Sequence, residues 1–258
     1  MLKFKSINIL FAFIVILLLV LTFIYNLSFW FFIIAGLLWF IITSLGSALI
    51  GWNYHITSLN KSNSETQNRV AITFDDGPNP EYTLQALEVL KTHNAKATFF
   101  CIGKHIEKHP EIVSKILEEG HTIGNHTYSH SNFFGFFGTQ RVKQELQQTN
   151  YVVQKLFGLK MSLYRPAFGV TNPNIKKAIK AIGLISIGWN KRSLDTTKLD
   201  TSKVLKRVTS NLKPGDVILL HDTSHKTIEV LEQLLLFLHQ QNMKSVSVDT
   251  LFNIKAYA

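Results

Sequence analysis

The chain has 258 residues, a formal net charge of +10 and 46% hydrophobic residues, a length that fits one domain of ordinary size with an additional segment. Its basic residues are scattered as single charges on predicted helix faces and form no arginine-rich stripe, which argues against a nucleic-acid-binding protein. The single cysteine, Cys101, excludes an internal disulfide and is interpreted as a buried strand residue.

Residues 1–56 are predicted to form a membrane anchor of two transmembrane helices. Lys, Arg, Asp and Glu are absent from residue 6 to residue 60, and a helix needs roughly 20 apolar residues to cross a bilayer. The run is too long for one span and suits two, with a short polar break at residues 25–28. A cleaved signal peptide is the alternative, but its apolar region would span only about 7–15 residues and end at small residues.

The charges beside the first span predict the orientation of the anchor. Lys3 and Lys5 are the only charged residues before it, so the positive-inside rule places the N-terminus in the cytoplasm. Two spans return the chain to the same side. We therefore expect an integral protein of a bacterial inner membrane with a cytoplasmic domain.

Residues 57–68 are polar without apolar periodicity and are predicted to be a linker. From residue 69 to residue 258, short apolar runs alternate with amphipathic stretches, and this alternation predicts a parallel α/β fold. Seven strand candidates suit an open sheet or an incomplete barrel, and in both the functional residues belong at the carboxyl ends of the strands. The candidates are residues 70–74, 97–103, 121–126, 162–168, 184–189, 216–221 and 244–248.

Polar residues fall at the same end of successive strand candidates. Asp75 and Asp76 close the first, and two adjacent carboxylates repel each other unless a cation or a shared proton lies nearby. His126 closes the third candidate and His130 follows four residues later. Together with a carboxylate they form a two-nitrogen, one-oxygen ligand set that suits zinc or another divalent ion.

A second histidine pair shows that this spacing alone is a weak signal. His105 and His109 are also four residues apart, but they lie in a Lys- and Glu-rich segment that precedes Pro110. We interpret both as surface residues.

Four motifs, "TFDDGPN", "HTYSH", "RPAFG" and "LLHD", occur in this order. Together they closely resemble the polysaccharide deacetylases of the NodB-homology type, carbohydrate esterase family four, over roughly residues 69 to 253. The resemblance implies a distorted seven-stranded β/α barrel. It also implies metal-dependent hydrolysis of N-acetyl groups from amino sugars of a polysaccharide or glycan.

The resemblance also implies roles for individual residues. Asp76, His126 and His130 would bind the divalent metal, zinc in the first instance, and Asp75 would be the general base. His221 would be the general acid that protonates the departing sugar amine, and Arg165 would pair with Asp75. The substrate and oxyanion contacts would come from the Phe168 backbone N–H, Leu219 and Trp189, although the last two would be ordinary core residues in any barrel.

The sequence departs from the family pattern near "GWNKRSLDTTK". Arg192 stands near the place where a first acid is expected, and Asp195 is the remaining acid, so the partner of His221 is left open. Asp222 would either hold His221 or cap the following helix.

Alternative functions remain beside the leading one. One keeps the chemistry but acts as a deacylase or deformylase on a lipid-linked amino sugar, which suits a cytoplasmic domain, whereas relatives that act on cell-wall polymers work outside the cytoplasm. Another is an inactive carbohydrate-binding membrane protein, and the intact Asp75 and His221 argue against it. The expected partners are thus an acetylated amino-sugar glycan or a lipid-linked sugar, and the membrane.

The stretch "SNFFGFFGTQ" (131–140) follows the second metal histidine and contains four phenylalanines. They would either pack on the barrel or form an apolar lip that touches the bilayer or a lipid-linked substrate.

Overall fold

The computed structural model describes residues 3–258 and begins with two long apolar helices. They are α1 (Phe4–Tyr25) and α2 (Trp30–Ala48), and Asn26 in the left-handed conformation ends α1. Trp39 Nε1 donates to Asn8 Oδ1 at 3.0 Å and holds the two helices together. By length and composition both helices are candidates for membrane spans.

The remainder is a curled, parallel α/β half-barrel, so the predicted fold class is confirmed. Among the described residues, a path of seven strands runs in the order β5-β4-β3-β2-β1-β7-β6, and β8 pairs with β1. The strands are β1 (Arg69–Asp75), β2 (Ala97–Cys101), β3 (Thr122–Asn125), β4 (Leu163–Tyr164), β5 (Ile185–Ser186), β6 (Lys191–Arg192), β7 (Val217–His221) and β8 (Lys244–Ser245).

Helices follow most of the strands and cover the outer face of the sheet. They are α3 (Tyr82–Thr92), α4 (Gly103–Lys108), α5 (Pro110–Glu118), α6 (Thr139–Phe157), α7 (Pro173–Ile182), α8 (Thr201–Thr209), α9 (His225–Gln240) and α10 (Val248–Phe252). The seven strand candidates correspond to β1 to β5, β7 and β8. Strand β6 went unrecognised because its two residues carry no apolar pattern.

Strand β1 shows how the fold delivers polar residues to the inside of the barrel. Successive side chains of a strand point to opposite faces, and the outward set, Val70, Ile72 and Phe74, joins the core under the helices. The inward set therefore places Thr73 and Asp75 inside the barrel, where both are buried.

Residues 57–68, predicted to be a linker, pack along the domain. Leu59 forms a β-bridge with Ile187 just beyond β5, and Lys61 forms one with Asp216 just before β7. Lys61 Nζ also pairs with the Asp216 carboxylate at 2.8 Å. The segment thereby runs across the opening between the two sides of the half-barrel.

The end of α2 contacts the domain directly. The backbone N–H of Thr171 donates to the carbonyl oxygen of Ser47, in the last turn of α2, at 2.9 Å. Ser47 Oγ lies 2.9 Å from His55 Nε2, and both Tyr54 and His55 are buried. The helical hairpin is therefore attached to the loop that follows β4.

Candidate active site

Asp75 and His221 face each other across neighbouring strands, because they are paired residues in the register of β1 and β7. Arg165, fully buried, donates from Nη1 to Asp75 Oδ1 at 3.1 Å and to Thr73 Oγ1 at 2.9 Å. Its other nitrogens donate to two backbone carbonyls, those of Ile187 and Gly188. The guanidinium thus neutralises the buried carboxylate and fixes one of its oxygens, which leaves Asp75 Oδ2 free.

Asp76, His126 and His130 form a three-residue cluster whose ligand atoms lie within 4.8 Å of one another. Asp76 Oδ1 is 3.3 Å from Nε2 of each histidine. His126 Nδ1 lies 3.0 Å from the carbonyl oxygen of Arg165, so Nδ1 carries the proton and Nε2 presents a lone pair.

This geometry suits a divalent cation. Asp76 Oδ1 and His130 Nε2 are buried and have no hydrogen-bond partner. Three electron-pair donors that converge in this way repel each other unless a positive charge lies among them, and a His₂Asp set is a known ligand set for catalytic metals with open coordination positions. The resemblance to polysaccharide deacetylases implies a divalent metal, and the residues present fit that implication.

Three neighbouring residues that sequence reasoning did not assign hold this cluster. His105 is exposed, as expected, and its Nδ1 donates to the carbonyl oxygen of Asp76 at 2.9 Å. Glu145, on α6, accepts from the backbone N–H of Ser129 at 2.8 Å and fixes the loop before His130. Asn125 supports the same loop by accepting from the backbone N–H of Thr127.

His221 is held by Asp195. Its Nδ1 lies 2.8 Å from Asp195 Oδ1, and its backbone N–H donates to Oδ2 at 2.7 Å. Although burial acts to lower it, the hydrogen bond and charge of Asp195 raise the pKa of His221 to about 9. Burial acts to raise the pKa of Asp195, but the contact with His221 lowers it. The imidazole is therefore charged at neutral pH, and its Nε2 remains available.

Asp222 fills neither of the roles considered for it. It accepts a hydrogen bond from Thr83 Oγ1, while Ser224 caps α9 and Asp195 holds His221. A Cβ atom added at Gly77 would lie 2.7 Å from Asp222 Oδ1. The Asp222 carboxylate therefore packs closely against the turn that follows Asp76. Burial raises the pKa of Asp222 to about 7. Its position behind the turn that carries Asp76 explains why it does not reach His221.

The three-residue cluster, Asp75 and His221 line one cleft with a volume of about 280 Å³. The substrate residues inferred from the family line the same cleft: Phe168, Trp189 and Leu219. Phe168 is half-exposed, and its ring centroid lies 4.5 Å from that of His130. Arg165 lies beneath Trp189, with its guanidinium carbon 5.3 Å from the indole ring.

Unusual backbone conformations concentrate around this cleft. Among the described residues, twelve non-glycine residues have positive φ, and seven of these are asparagines, which tolerate that conformation. The other five all lie at or beside the cleft: Asp76, Thr127, His130, Phe168 and Leu194. Such conformations cost about 1–3 kcal/mol each and persist where the surroundings impose them. This distribution is typical of a functional site.

Comparison with known proteins agrees with the geometry. The profile of the family described as Polysaccharide deacetylase matches residues 62–187. A peptidoglycan-N-acetylglucosamine deacetylase of Bacillus cereus is 33% identical over 194 residues, which cover 72% of this chain and 89% of the relative. A chitooligosaccharide deacetylase of Azorhizobium caulinodans is 31% identical, with coverage of 62% and 76%.

A solved structure extends the similarity to the fold. The Bc1960 peptidoglycan N-acetylglucosamine deacetylase, in complex with 4-naphthalen-1-yl-N-oxidanyl-benzamide, superposes with a TM-score of 0.73 and 30% identity, covering 78% of this chain and 94% of that one. With its motifs gathered in one cleft of a half-barrel, the chain belongs to the polysaccharide deacetylase family, the hydrolases that remove N-acetyl groups from amino sugars of glycans.

Proposed function

We propose that this cleft deacetylates N-acetylglucosamine residues of a peptidoglycan-type glycan, with zinc held by Asp76, His126 and His130. One observation carries the proposal: a carboxylate with one free oxygen, an imidazole held by Asp195 and a cluster of three convergent ligand atoms line the same cleft. The names of the relatives support the choice of substrate. An inactive carbohydrate-binding protein would need neither the base nor the acid.

The metal, when bound, would polarise the acetyl carbonyl and lower the pKa of water towards neutrality. Asp75 then accepts a proton from the attacking water at Oδ2, because Arg165 occupies Oδ1. The water oxygen forms a bond to the acetyl carbon. The Arg165–Asp75 ion pair also fixes the position of the base.

His221 completes the reaction. Its Nε2 donates a proton to the sugar nitrogen as the C–N bond breaks, and the products are acetate and a free amine. Amide nitrogen is a poor leaving group unless it is protonated, so the raised pKa of His221 serves this step. The Phe168 backbone N–H stabilises the oxyanion, and Leu219 and Trp189 limit the space for the acyl group.

Purified full-length protein in detergent should test the activity. With chitooligosaccharides and peptidoglycan as separate substrates, we expect release of acetate and of free amines in equal amounts. Removal of the metal with a chelator should abolish both, and zinc should restore them. Release of neither product from any acetylated glycan in the zinc-loaded protein would contradict the proposal.

We also propose that the first 56 residues anchor the enzyme in the membrane, with residues 57–68 as a packed connector and residues 69–258 as the catalytic domain. Lys3 and Lys5 favour a cytoplasmic domain, which would favour a lipid-linked amino sugar as the substrate. The relatives' peptidoglycan substrates favour the opposite side. Protease treatment of intact spheroplasts decides between them: an uncut domain supports the cytoplasmic side, and digestion supports action on a wall polymer.

A further inference from the structure

The stretch 131–140 divides its phenylalanines between the core and the solvent. Phe134 is fully buried and Phe137 is partly buried, whereas Phe133 and Phe136 are 69% and 88% exposed. Phe136 has the largest exposed fraction of any large hydrophobic residue in the described part of the chain beyond the hairpin. We name Phe133 and Phe136 the phenylalanine lip.

The lip is anchored to the domain, and its two rings lie outside the core. A 3₁₀ turn, Phe134–Phe136, presents the two side chains, and Phe134 anchors it in a hydrophobic cluster that also contains Ile56, just after the hairpin. Because that core position is already filled, the exposed rings require another apolar environment.

The lip lies next to the end of the hairpin. Asn172 Nδ2 donates to the carbonyl oxygen of Gly135, in the middle of the lip turn, at 2.7 Å. The adjacent residue, Thr171, donates its backbone N–H to Ser47 in the last turn of α2. Two hydrogen bonds and one peptide unit therefore connect the lip to the point where α2 ends.

Exposed basic side chains lie on the two helices that flank this region, α6 and α7. Arg141 lies with its guanidinium carbon 5.1 Å from the centroid of the Phe137 ring. Lys176 is close enough to the buried His55 for its charge to act on it, and Lys177 and Lys180 lie on the same exposed side of α7. Aromatic rings flanked by Lys and Arg are typical of protein surfaces that contact anionic headgroups.

We propose that Phe133 and Phe136 insert into the interfacial layer of the bilayer that the hairpin spans. The proposal rests on the membrane assignment of the hairpin and is independent of the enzymatic reaction. Because His130 lies three residues before Phe133, the ligand cluster then lies near the membrane surface. The enzyme would act on glycan within reach of that surface rather than on distant polymer.

Depth-dependent fluorescence quenching tests the lip in the full-length protein. Cys101 is the only cysteine and is buried, so Cys101→Ala provides a background for Phe136→Cys and Phe133→Cys, each labelled with an environment-sensitive dye. Leu38→Cys, in α2, is the positive control. Leu236→Cys, exposed near the end of α9 where β8 follows, is the matched negative control.

The labelled proteins are reconstituted into vesicles of phosphatidylcholine and phosphatidylglycerol, without substrate. They are quenched in separate samples with lipids that carry a spin label near the headgroup or near the middle of the acyl chain, since position 38 lies near the centre of α2. We expect loss of fluorescence at 133 and 136 and none at 236. Quenching at 38 but not at 133 or 136 would overturn the proposed insertion of the lip into the bilayer. The lip would then contact a partner protein or a lipid-linked substrate instead. Absence of quenching at 38 would overturn the membrane assignment itself, and the lip with it.

Discussion

Asp195 contacts His221 at two points, accepting the backbone N–H at 2.7 Å through Oδ2 and the ring Nδ1–H at 2.8 Å through Oδ1. Asp195 is buried and also accepts from the hydroxyls of Ser193 and Thr227. The orientation of the imidazole and its charge are therefore set by one carboxylate, which is itself fixed by four hydrogen bonds.

Asp195→Asn should move the pH dependence of catalysis. Without the negative charge, the pKa of His221 falls from about 9, and the general acid loses its proton at a lower pH. The alkaline limb of kcat/KM should shift towards neutral pH, with a lower maximal rate. Asp200→Asn is the matched control, since Asp200 is an exposed N-cap and Asn caps equally well. An unchanged pH profile in Asp195→Asn would refute the assignment of His221 as the acid.

The same pair predicts a pH-dependent stability of the metal-free protein. The folded-state pKa of His221 is raised from 6.5 to about 9, so protonation stabilises the fold. This stabilisation is fully present below about pH 6.5 and is lost as the pH rises through about 9, with a magnitude on the order of 3 kcal/mol. Urea denaturation across that pH range measures it. The free energy of unfolding of Asp195→Asn should decline much less over this pH range. An equal decline would show that other groups cause the effect.

Single variants should distinguish residues that bind the metal from residues that transfer protons. His126→Ala should lose the metal, because two remaining ligands rarely hold a divalent ion tightly. Asp75→Asn and His221→Ala should keep the metal and lose most activity. Elemental analysis beside turnover measures both properties, and His239→Ala, at an exposed position of α9, serves as a surface control. Full activity in His221→Ala, or full metal content in His126→Ala, would contradict these roles.

Arg165→Met should destabilise the domain strongly. It leaves the Asp75 charge buried without its partner, and such changes cost about 3–5 kcal/mol. Chemical denaturation measures the loss, and Arg141→Met, at an exposed arginine, should cost far less. Adding Asp75→Asn to Arg165→Met should recover part of the loss, since the unpaired charge is then gone. Strictly additive effects would indicate that the two side chains do not interact.

Leu219 should control the size of the acyl group. Leu219 lines the cleft, while the neighbouring Leu220 points to the core under the helices. Truncation of either to alanine costs about 2–5 kcal/mol of stability. Only Leu219→Ala should raise the rate on N-propionyl relative to N-acetyl substrates. The expected increase is roughly 10- to 200-fold, which is the discrimination that one methylene group provides. An equal change in Leu220→Ala would show that the effect comes from a general loss of packing in the domain.

Local patterns predicted the strands and the end of the sheet where the site lies. The inward Asp75 and His221 follow from strand alternation and from the parallel register of β1 and β7. The partner of His221 could not be derived, since Asp195 and Asp222 are both close in sequence to strand ends and only three-dimensional packing distinguishes them. Glu145 was also missed, because nothing in the α6 sequence signals contact with the His130 loop. Strand β6 is too short to leave a pattern.

The bond between Thr171 and Ser47 has a practical consequence for anyone who wishes to crystallise the catalytic half by itself. A truncation that starts at residue 69 removes Ser47, the acceptor of Thr171, and Ile56, which packs in the core. It also removes residues 57–68, which cross the opening of the half-barrel. Asn53 Oδ1 also accepts from the backbone N–H of Ser58, so the protein folds back on itself from that residue onward. A soluble fragment should therefore start before Ser47, so that the acceptor of Thr171 is kept, with polar replacements on the apolar residues that remain of α2.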